Sequence, residues 1–578
     1  MKWDKSVFYW LAIAVIACVI YLPGINNSFT FLDDHVQVVE NPFIKSLDFQ
    51  SLKGMFSNFF VGMYQPVTTL IYAVTLSTFG LNPEAFHLLS LLVHVTNCLI
   101  VFKILQHFFT TKKLSLILTL LFLVHPMQVE SVAWVSAFSN LLFSFFFLTA
   151  FWTYIKYKKE NNTKYLALCF SLFLLSCLSK SAAVVFPIIL LAYDYYLSNK
   201  FDIKFVLQKI PFLAISILFG LITILGRETA GHLSDLNETF SAFDRVFLVS
   251  HSFLFYPIKL LIPFRLSAFY PYPILTNGSL PILYYISPIV IIGLLTTFFL
   301  FLRKKRLIVF GVAWFVITIA LVLQFVPFGN QITTDRYIYL PLFGLLVIIG
   351  FFLQKLKNPK FILLFIIPLF LLSMLSFQRV HIWENDETLW QSVLETHPTV
   401  SQAYNNLGSY ALKQNENNKA FDYFHHAIEI QPNYADAYSN RGNLFAQAGN
   451  SEAAMKDFNK AIQLKPHADA YFNRANEYSK LNQLNEAILD YSASIKLQPR
   501  ADSYTNRAFS YLKLRKIELA RKDVKIAQEL NSSYGRAYFL EGILEQQEDN
   551  KAAACAAFLK AAKLGEINAK DAYSKTCR

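Results

Sequence analysis

SQAYNNLGSYALKQNENNKAFDYFHHAIEIQPNY, residues 401–434, is followed by four more copies of its own plan at intervals of 33–34 residues. Aligned on the aromatic, the copies carry Tyr404, Tyr438, Tyr471, Tyr504 and Tyr538. Four positions on stand Gly408, Gly442, Ala475, Ala508 and Gly542, and later Ala420, Ala454, Ala487, Ala520 and Ala554. Small residues at two fixed places let paired helices approach closely. Pro432, Pro466 and Pro499 end the second helices, because proline cannot continue the helical ladder. Five such pairs over 401–568 are expected to stack into an α-solenoid, which offers a concave surface to a partner and has little reason to carry chemistry.

The period is that of tetratricopeptide repeats. A half-unit from Trp390 to Pro398 looks like one more second helix, so 381–400 reads as a junction, and 569–578 as a tail too short for a long cap. Upstream, over 1–380, the composition changes. The 578 residues are 54% hydrophobic and only 16% charged, and 56 of them are Phe, which a single soluble domain does not explain. The formal charge of +13 raises nucleic acid as a partner, but residues 1–380 hold 28 Lys/Arg against 15 Asp/Glu while 381–578 hold 24 against 24. The excess is confined to the apolar part, between apolar runs, where it marks cytoplasmic loops rather than a phosphate-binding stripe. Nucleic acid is thereby excluded. The six cysteines lie mostly inside apolar segments with no C-x-x-C pair, so neither a disulfide framework nor a zinc site is implied.

Apolar runs lie at 7–22, 86–106, 114–128, 138–156, 164–180, 181–197, 206–226, 246–262, 282–302, 307–326, 336–354 and 359–377. Each approaches the ~20 residues that cross a bilayer's hydrocarbon core. The basic clusters at 112–113, 156–164, 200–209, 303–306 and 355–360 all fall on the cytoplasmic side only if one run between 206 and 302 does not span. The weakest is 246–262, with His251, Pro257 and Lys259. The expectation is therefore an all-α chain: a polytopic bundle of about eleven spanning helices embedded in lipid, then the repeats. With eleven, the 24–65 loop and everything after Phe377 are exoplasmic. A reporter fused at Gln378 that reads as cytoplasmic would reject this topology.

Just past the first helix stand Asp33 and Asp34, in Phe31-Leu32-Asp33-Asp34-His35. Adjacent carboxylates beside a membrane repel and lose solvation, which lifts a pKa toward that of a working general base; metal binding is a second use, and a solvated turn the bland one. No third ligand at a diagnostic spacing accompanies them, so no metal is expected. Two residues after the first four repeat aromatics comes Asn406, Asn440, Asn473 and Asn506. A row of carboxamides pairs with an extended peptide backbone whatever its side chains, and this one resembles the asparagine ladder in the repeats of the nucleocytoplasmic O-linked N-acetylglucosamine transferase.

The chain as a whole resembles the transmembrane and tetratricopeptide-repeat O-mannosyltransferases and their bacterial relatives, polytopic glycosyltransferases of the GT-C superfamily. The carriers are Leu32-Asp33-Asp34 with Asn41-Pro42, Tyr64-Gln65-Pro66, Asn82-Pro83 through His87 and His94, His125-Pro126 through Glu130 and Trp134, Ser179-Lys180, Phe269-Tyr270-Pro271, and Asp335-Arg336-Tyr337 through Pro341. The resemblance implies an active site at Asp33 and Asp34, a donor sugar, mannose by expectation, on a polyprenyl phosphate, inversion at the anomeric carbon, and a Ser/Thr hydroxyl of an exported polypeptide as acceptor. Asp33 is assigned the base role and Asp34 a supporting one. Arg336 is expected to grip the leaving phosphate with Asp335 orienting it, Lys180 to be a second cation there, and His125 and Glu130 to be accessory. No cofactor is implied, since the lipid-linked sugar is a substrate. The repeats would bind the acceptor on the exoplasmic side, in a bacterial inner membrane in preference to the endoplasmic reticulum. A transferase acting on an envelope glycan or lipid, and a noncatalytic repeat scaffold, are the alternatives. The chain departs from its relatives at Val135-Ser136-Ala137-Phe138-Ser139-Asn140, where a charged cluster is usual, and at Ser181, where an acid is common.

Overall fold

The computed structural model describes residues 5–200, 202–229, 240–323, 325, 329–356 and 364–577; parts of the expected segments 307–326 and 359–377 lie outside them. It divides into two compact units, Met1–Pro398 and Thr399–Arg578.

In the first unit every expected span contains a helix. Six helices are long and apolar enough to cross a membrane, or up to eight if each of two bent pairs is one span. Three expected spans are shorter apolar helices, Thr163–Ser179, Arg306–Ala320 and Leu342–Leu353, so eleven is not reached by length. The last is short because the start of 336–354 forms a 3-10 turn, Asp335–Ile338, ahead of Pro341. Pro66–Phe79, a fourth short apolar helix, lies outside the expected set. The 20-residue helix Ala242–Leu261, which carries Asp244, Arg245 and Lys259, is not among the six. Helices Arg306–Ala320 and Leu342–Leu353 meet backbone to backbone, since a Cβ on Gly344 would stand 2.7 Å from the Phe315 nitrogen. Small residues permit such approach where apolar solvent gives helices no hydrophobic drive to associate.

The bundle has two chemically different ends. At one, buried Asp194 accepts from Lys158 Nζ at 3.0 Å, Lys209 Nζ at 2.6 Å and the Tyr154 hydroxyl at 2.8 Å, a set that compensates a carboxylate out of water. Arg306 donates to the Leu197 carbonyl at 3.4 Å, so three of the basic clusters gather here. Lys158 stands near the C-terminus of helix Phe138–Glu160 and Asn140 near its N-terminus, about 27 Å apart at 1.5 Å per residue. That is close to the ~30 Å of a hydrocarbon core. The candidate site lies at the Asn140 end.

In the second unit, five helix pairs run from Ser401–Lys413 with Asn417–Ile430 to Gly535–Gln547 with Lys551–Lys563. The turn inside each pair uses one residue at positive φ: Asn415, Gly449, Asn482, Arg515 and Asp549. Small residues sit where the period put them: a Cβ on Gly442 would meet the Phe458 ring at 2.8 Å. Within the three central repeats an arginine clamps an aspartate of the facing helix with two bonds. The pairs are Arg441–Asp457 at 2.8 and 2.9 Å, Arg474–Asp490 at 2.6 and 2.8 Å, and Arg507–Asp523 at 2.7 and 2.8 Å. Arg474→Ala leaves mostly buried Asp490 unpaired and is expected to cost about 1–3 kcal/mol, read as an earlier unfolding transition of the repeats in denaturant. The tail forms a helix, Ala569–Cys577, and a disulfide joins Cys555 to Cys577, a pairing that cysteine spacing did not imply.

Candidate active site

The loop after the first helix is stapled to the end of the last one. Asn27 Nδ2 donates to the Val380 carbonyl at 3.3 Å, Ser28 N to the Glu384 carbonyl at 2.9 Å, and Phe31 N to Asp386 Oδ1 at 2.6 Å. This fixes where the acidic pair emerges, and its two members then diverge. Asp34 is buried and accepts four hydrogen bonds: from Thr30 N at 3.0 Å, Thr30 Oγ1 at 3.1 Å, Ser136 N at 2.8 Å and Ser136 Oγ at 2.5 Å. Burial pushes its pKa up and those bonds oppose the shift. With both oxygens occupied, Asp34 ties the loop to the start of helix Phe138–Glu160. Asp33 is exposed, and its side chain makes no hydrogen bond among the described residues. Protein surrounds it on its other sides, and that desolvation lifts its pKa to about 6; Arg336 draws it back down, and Asp34 adds a smaller push upward.

The bend that places Glu130 arises locally. Pro126 cannot extend helix Lys112–Val124, and the chain turns by 54° into Pro126–Ala133. Glu130, fully buried, then accepts from Arg336 N at 2.9 Å and from Arg336 Nη1 at 2.5 Å. The guanidinium also stacks over Trp134, 4.8 Å from the ring centroid. Asp335 does not orient Arg336 as expected. It accepts from Arg379 Nη2 at 2.5 Å and from the Tyr270 hydroxyl at 2.9 Å. Adjacent residues of a 3-10 turn point about 120° apart, so the two cannot serve one direction. Lys180, between helices, donates to Asn140 Oδ1 at 2.5 Å.

His125 is buried and spoken for: its Nδ1 accepts from Met127 N at 3.3 Å and its Nε2 donates to the Leu260 carbonyl at 3.1 Å. The proton assignment follows from those partners. It shapes the bend and does not reach the acidic pair. The asparagines of the row are half-buried, one on the first helix of each of four repeats. Two are engaged sideways, Asn440 with Asn405 Oδ1 at 2.9 Å and Asn506 with Asn476 Oδ1 at 3.0 Å.

Sequence reasoning missed Ser136 and Arg379. Ser136 is one serine in an apolar stretch, and its donation to Asp34 spans 102 positions, which nothing local in the sequence signals. Arg379 is an ionisable residue at the end of an apolar helix, which is a functional signal in itself.

Residues 65–225 match the family model described as dolichyl-phosphate-mannose-protein mannosyltransferase, a range that includes Glu130 and Lys180 but neither Asp33 nor Arg336. Residues 401–434, 435–467 and 468–500 match tetratricopeptide-repeat models. The chain is 25% identical over 415 residues to protein O-mannosyl-transferase F38B6.6 of Caenorhabditis elegans, covering 67% of this chain and 58% of that one. To protein O-mannosyl-transferase TMTC3 of Homo sapiens it is 26% identical over 435 residues, covering 64% and 46%. It thus spans about half the length of these relatives. The crystal structure of YrrB, a tetratricopeptide-repeat protein with an unusual peptide-binding site, is similar at 17% identity and a TM-score of 0.28, covering 32% of this chain and 97% of that one. With a region that matches a mannosyltransferase model, tetratricopeptide repeats after it in the sequence and O-mannosyl-transferases as relatives, the chain is similar to the transmembrane and tetratricopeptide-repeat O-mannosyltransferases.

Proposed function

We propose that this chain is a membrane glycosyltransferase that moves mannose from a polyprenyl phosphate to a serine or threonine hydroxyl of an exported polypeptide. One observation carries the reading: an exposed carboxylate with its pKa near 6, Asp33, stands in the field of a guanidinium, Arg336, fixed by buried Glu130. The acceptor hydroxyl gives its proton to Asp33 while its oxygen bonds to the anomeric carbon. The bond from that carbon to the phosphate oxygen breaks, the centre inverts, and polyprenyl phosphate leaves with the electron pair. Arg336, helped by Lys180, receives the charge that develops on the leaving phosphate. Asp34 holds the loop, and the repeats hold the acceptor.

Two observations support an exoplasmic site and exoplasmic repeats. Lys158, Lys209 and Arg306 gather at the end of the bundle opposite Asn140 and Lys180, and lysine and arginine favour the cytoplasmic face. The Cys555–Cys577 disulfide suits an oxidising compartment. Intact spheroplasts treated with reductant should therefore expose both thiols to a membrane-impermeant maleimide, located by peptide mapping. Labelling only after lysis would put the repeats in the cytosol.

The chain and an Asp33→Asn/Asp34→Asn variant, expressed in a knockout, are compared by mass spectrometry of glycopeptides and envelope glycans. Loss of a protein-linked hexose in the variant supports the reading. Loss of an envelope glycan or lipid component instead replaces protein as the acceptor, and full complementation rejects catalysis by the pair.

A further inference from the structure

A recess of about 410 Å³ lies in the repeat unit, lined by the first helices of the second to fifth repeats together with Phe458 and Tyr491 of two second helices. Its chemistry is one-sided. Lys480, Lys513 and Arg536 line it, while the acid among the lining residues, Glu477, is buried and already bonded by Lys480 Nζ at 2.5 Å and by Ser451 Oγ at 2.8 Å. Lys513 and Arg536 are exposed, and neither has a carboxylate within ion-pair distance among the described residues. The carboxamides add both kinds of polar group, since Asn506 Oδ1 is buried without a hydrogen-bond partner among the described residues. Asn476 Oδ1 accepts from the Tyr491 hydroxyl at 2.6 Å and from Asn506 Nδ2 at 3.0 Å, which leaves the Asn476 amide nitrogen as its remaining polar atom. Two exposed cations without a carboxylate partner among the described residues, Lys513 with its ammonium 4.8 Å from the Phe509 ring centroid, fit an anion. A lining drawn from four successive repeats, with carboxamides that donate and accept, fits an extended chain.

We infer that the recess takes an acidic, extended segment of polypeptide, carboxylates meeting Lys513 and Arg536 while the carboxamides bind backbone. The inference rests on the proposal that the repeats hold the acceptor, and it adds a selection for acidic segments. The arrangement sets affinity through charge, so binding weakens as salt screens it.

The test uses the full chain in phosphatidylcholine nanodiscs and two fluorescein-labelled peptides of equal length, one alternating Ser with Asp and the other Ser with Asn. Fluorescence anisotropy is expected to show the acidic peptide bound about tenfold more tightly at low salt, with the gap closing as salt is added. The Lys513→Gln/Arg536→Gln variant, altered at two exposed positions, should bind both peptides alike. Equal affinity of the unaltered chain for the two peptides overturns the acidic selection and leaves the repeats as a peptide-holding arm. Binding of neither peptide removes the arm itself, and the inference with it.

Discussion

Asp33→Asn is expected to lower kcat by about 10²–10⁴-fold, the range over which a positioned general base acts. Its thermal stability should not fall, because the Asp33 side chain is exposed and makes no hydrogen bond among the described residues, and a carboxylate whose pKa is raised on folding costs stability when ionised. The pH profile gives the same assignment independently. With its pKa near 6, Asp33 is mostly ionised at pH 7 and about nine-tenths protonated at pH 5. A base must be ionised to take a proton, so activity falls as pH drops through 6 and levels off above 7. A rate that stays flat from pH 5 to 8 would contradict the role. Asp34→Asn separates the two carboxylates further. It turns an NH2 toward the backbone N–H of Thr30 or Ser136, which can only donate, so it is expected to lose thermal stability as well as activity.

Glu130→Ala carries the largest expected loss of stability, about 3 kcal/mol. Glu130 is fully buried, and its removal strips both the backbone nitrogen and the guanidinium of Arg336 of their acceptor while that guanidinium remains mostly enclosed. Glu130→Gln keeps the shape and one acceptor and is expected to lose less. In the gentler variant the guanidinium is free to turn, so the KM for the lipid donor should rise more than kcat falls. Unchanged KM in Glu130→Gln would mean that Arg336 does not meet the donor phosphate.

The two-part architecture was legible because many residues state it independently. A 33–34-residue period in small and aromatic residues specifies helix pairs, and apolar runs with basic flanks specify a membrane bundle. Legibility weakened where one residue's role depends on distant partners. Asp33 and Asp34 are equivalent as a sequence, and only Thr30 and Ser136, the latter 102 positions away, make one a structural tie. Asp335 was assigned to Arg336 by adjacency. In the folded chain each takes a carboxylate or guanidinium from elsewhere, Glu130 at a separation of 206 and Arg379 at 44. Apolar length alone does not reach eleven spans for a local reason: three of the expected helices are short, and two expected spans are bent, one of them at Pro126. The Cys555–Cys577 bridge depends on the tail forming a helix against the last pair, which spacing does not reveal.

Proton abstraction by Asp33 is a single chemical event, and reconstitution tests it directly. Purified full chain in proteoliposomes is given polyprenyl-phosphate mannose and a serine- and threonine-containing peptide, and the peptide is analysed by intact mass and fragmentation. The expected result is a gain of one hexose on a hydroxyl side chain with the unaltered chain, and none above background with Asp33→Asn. No transfer by the unaltered chain, or equal transfer by Asp33→Asn, would contradict it.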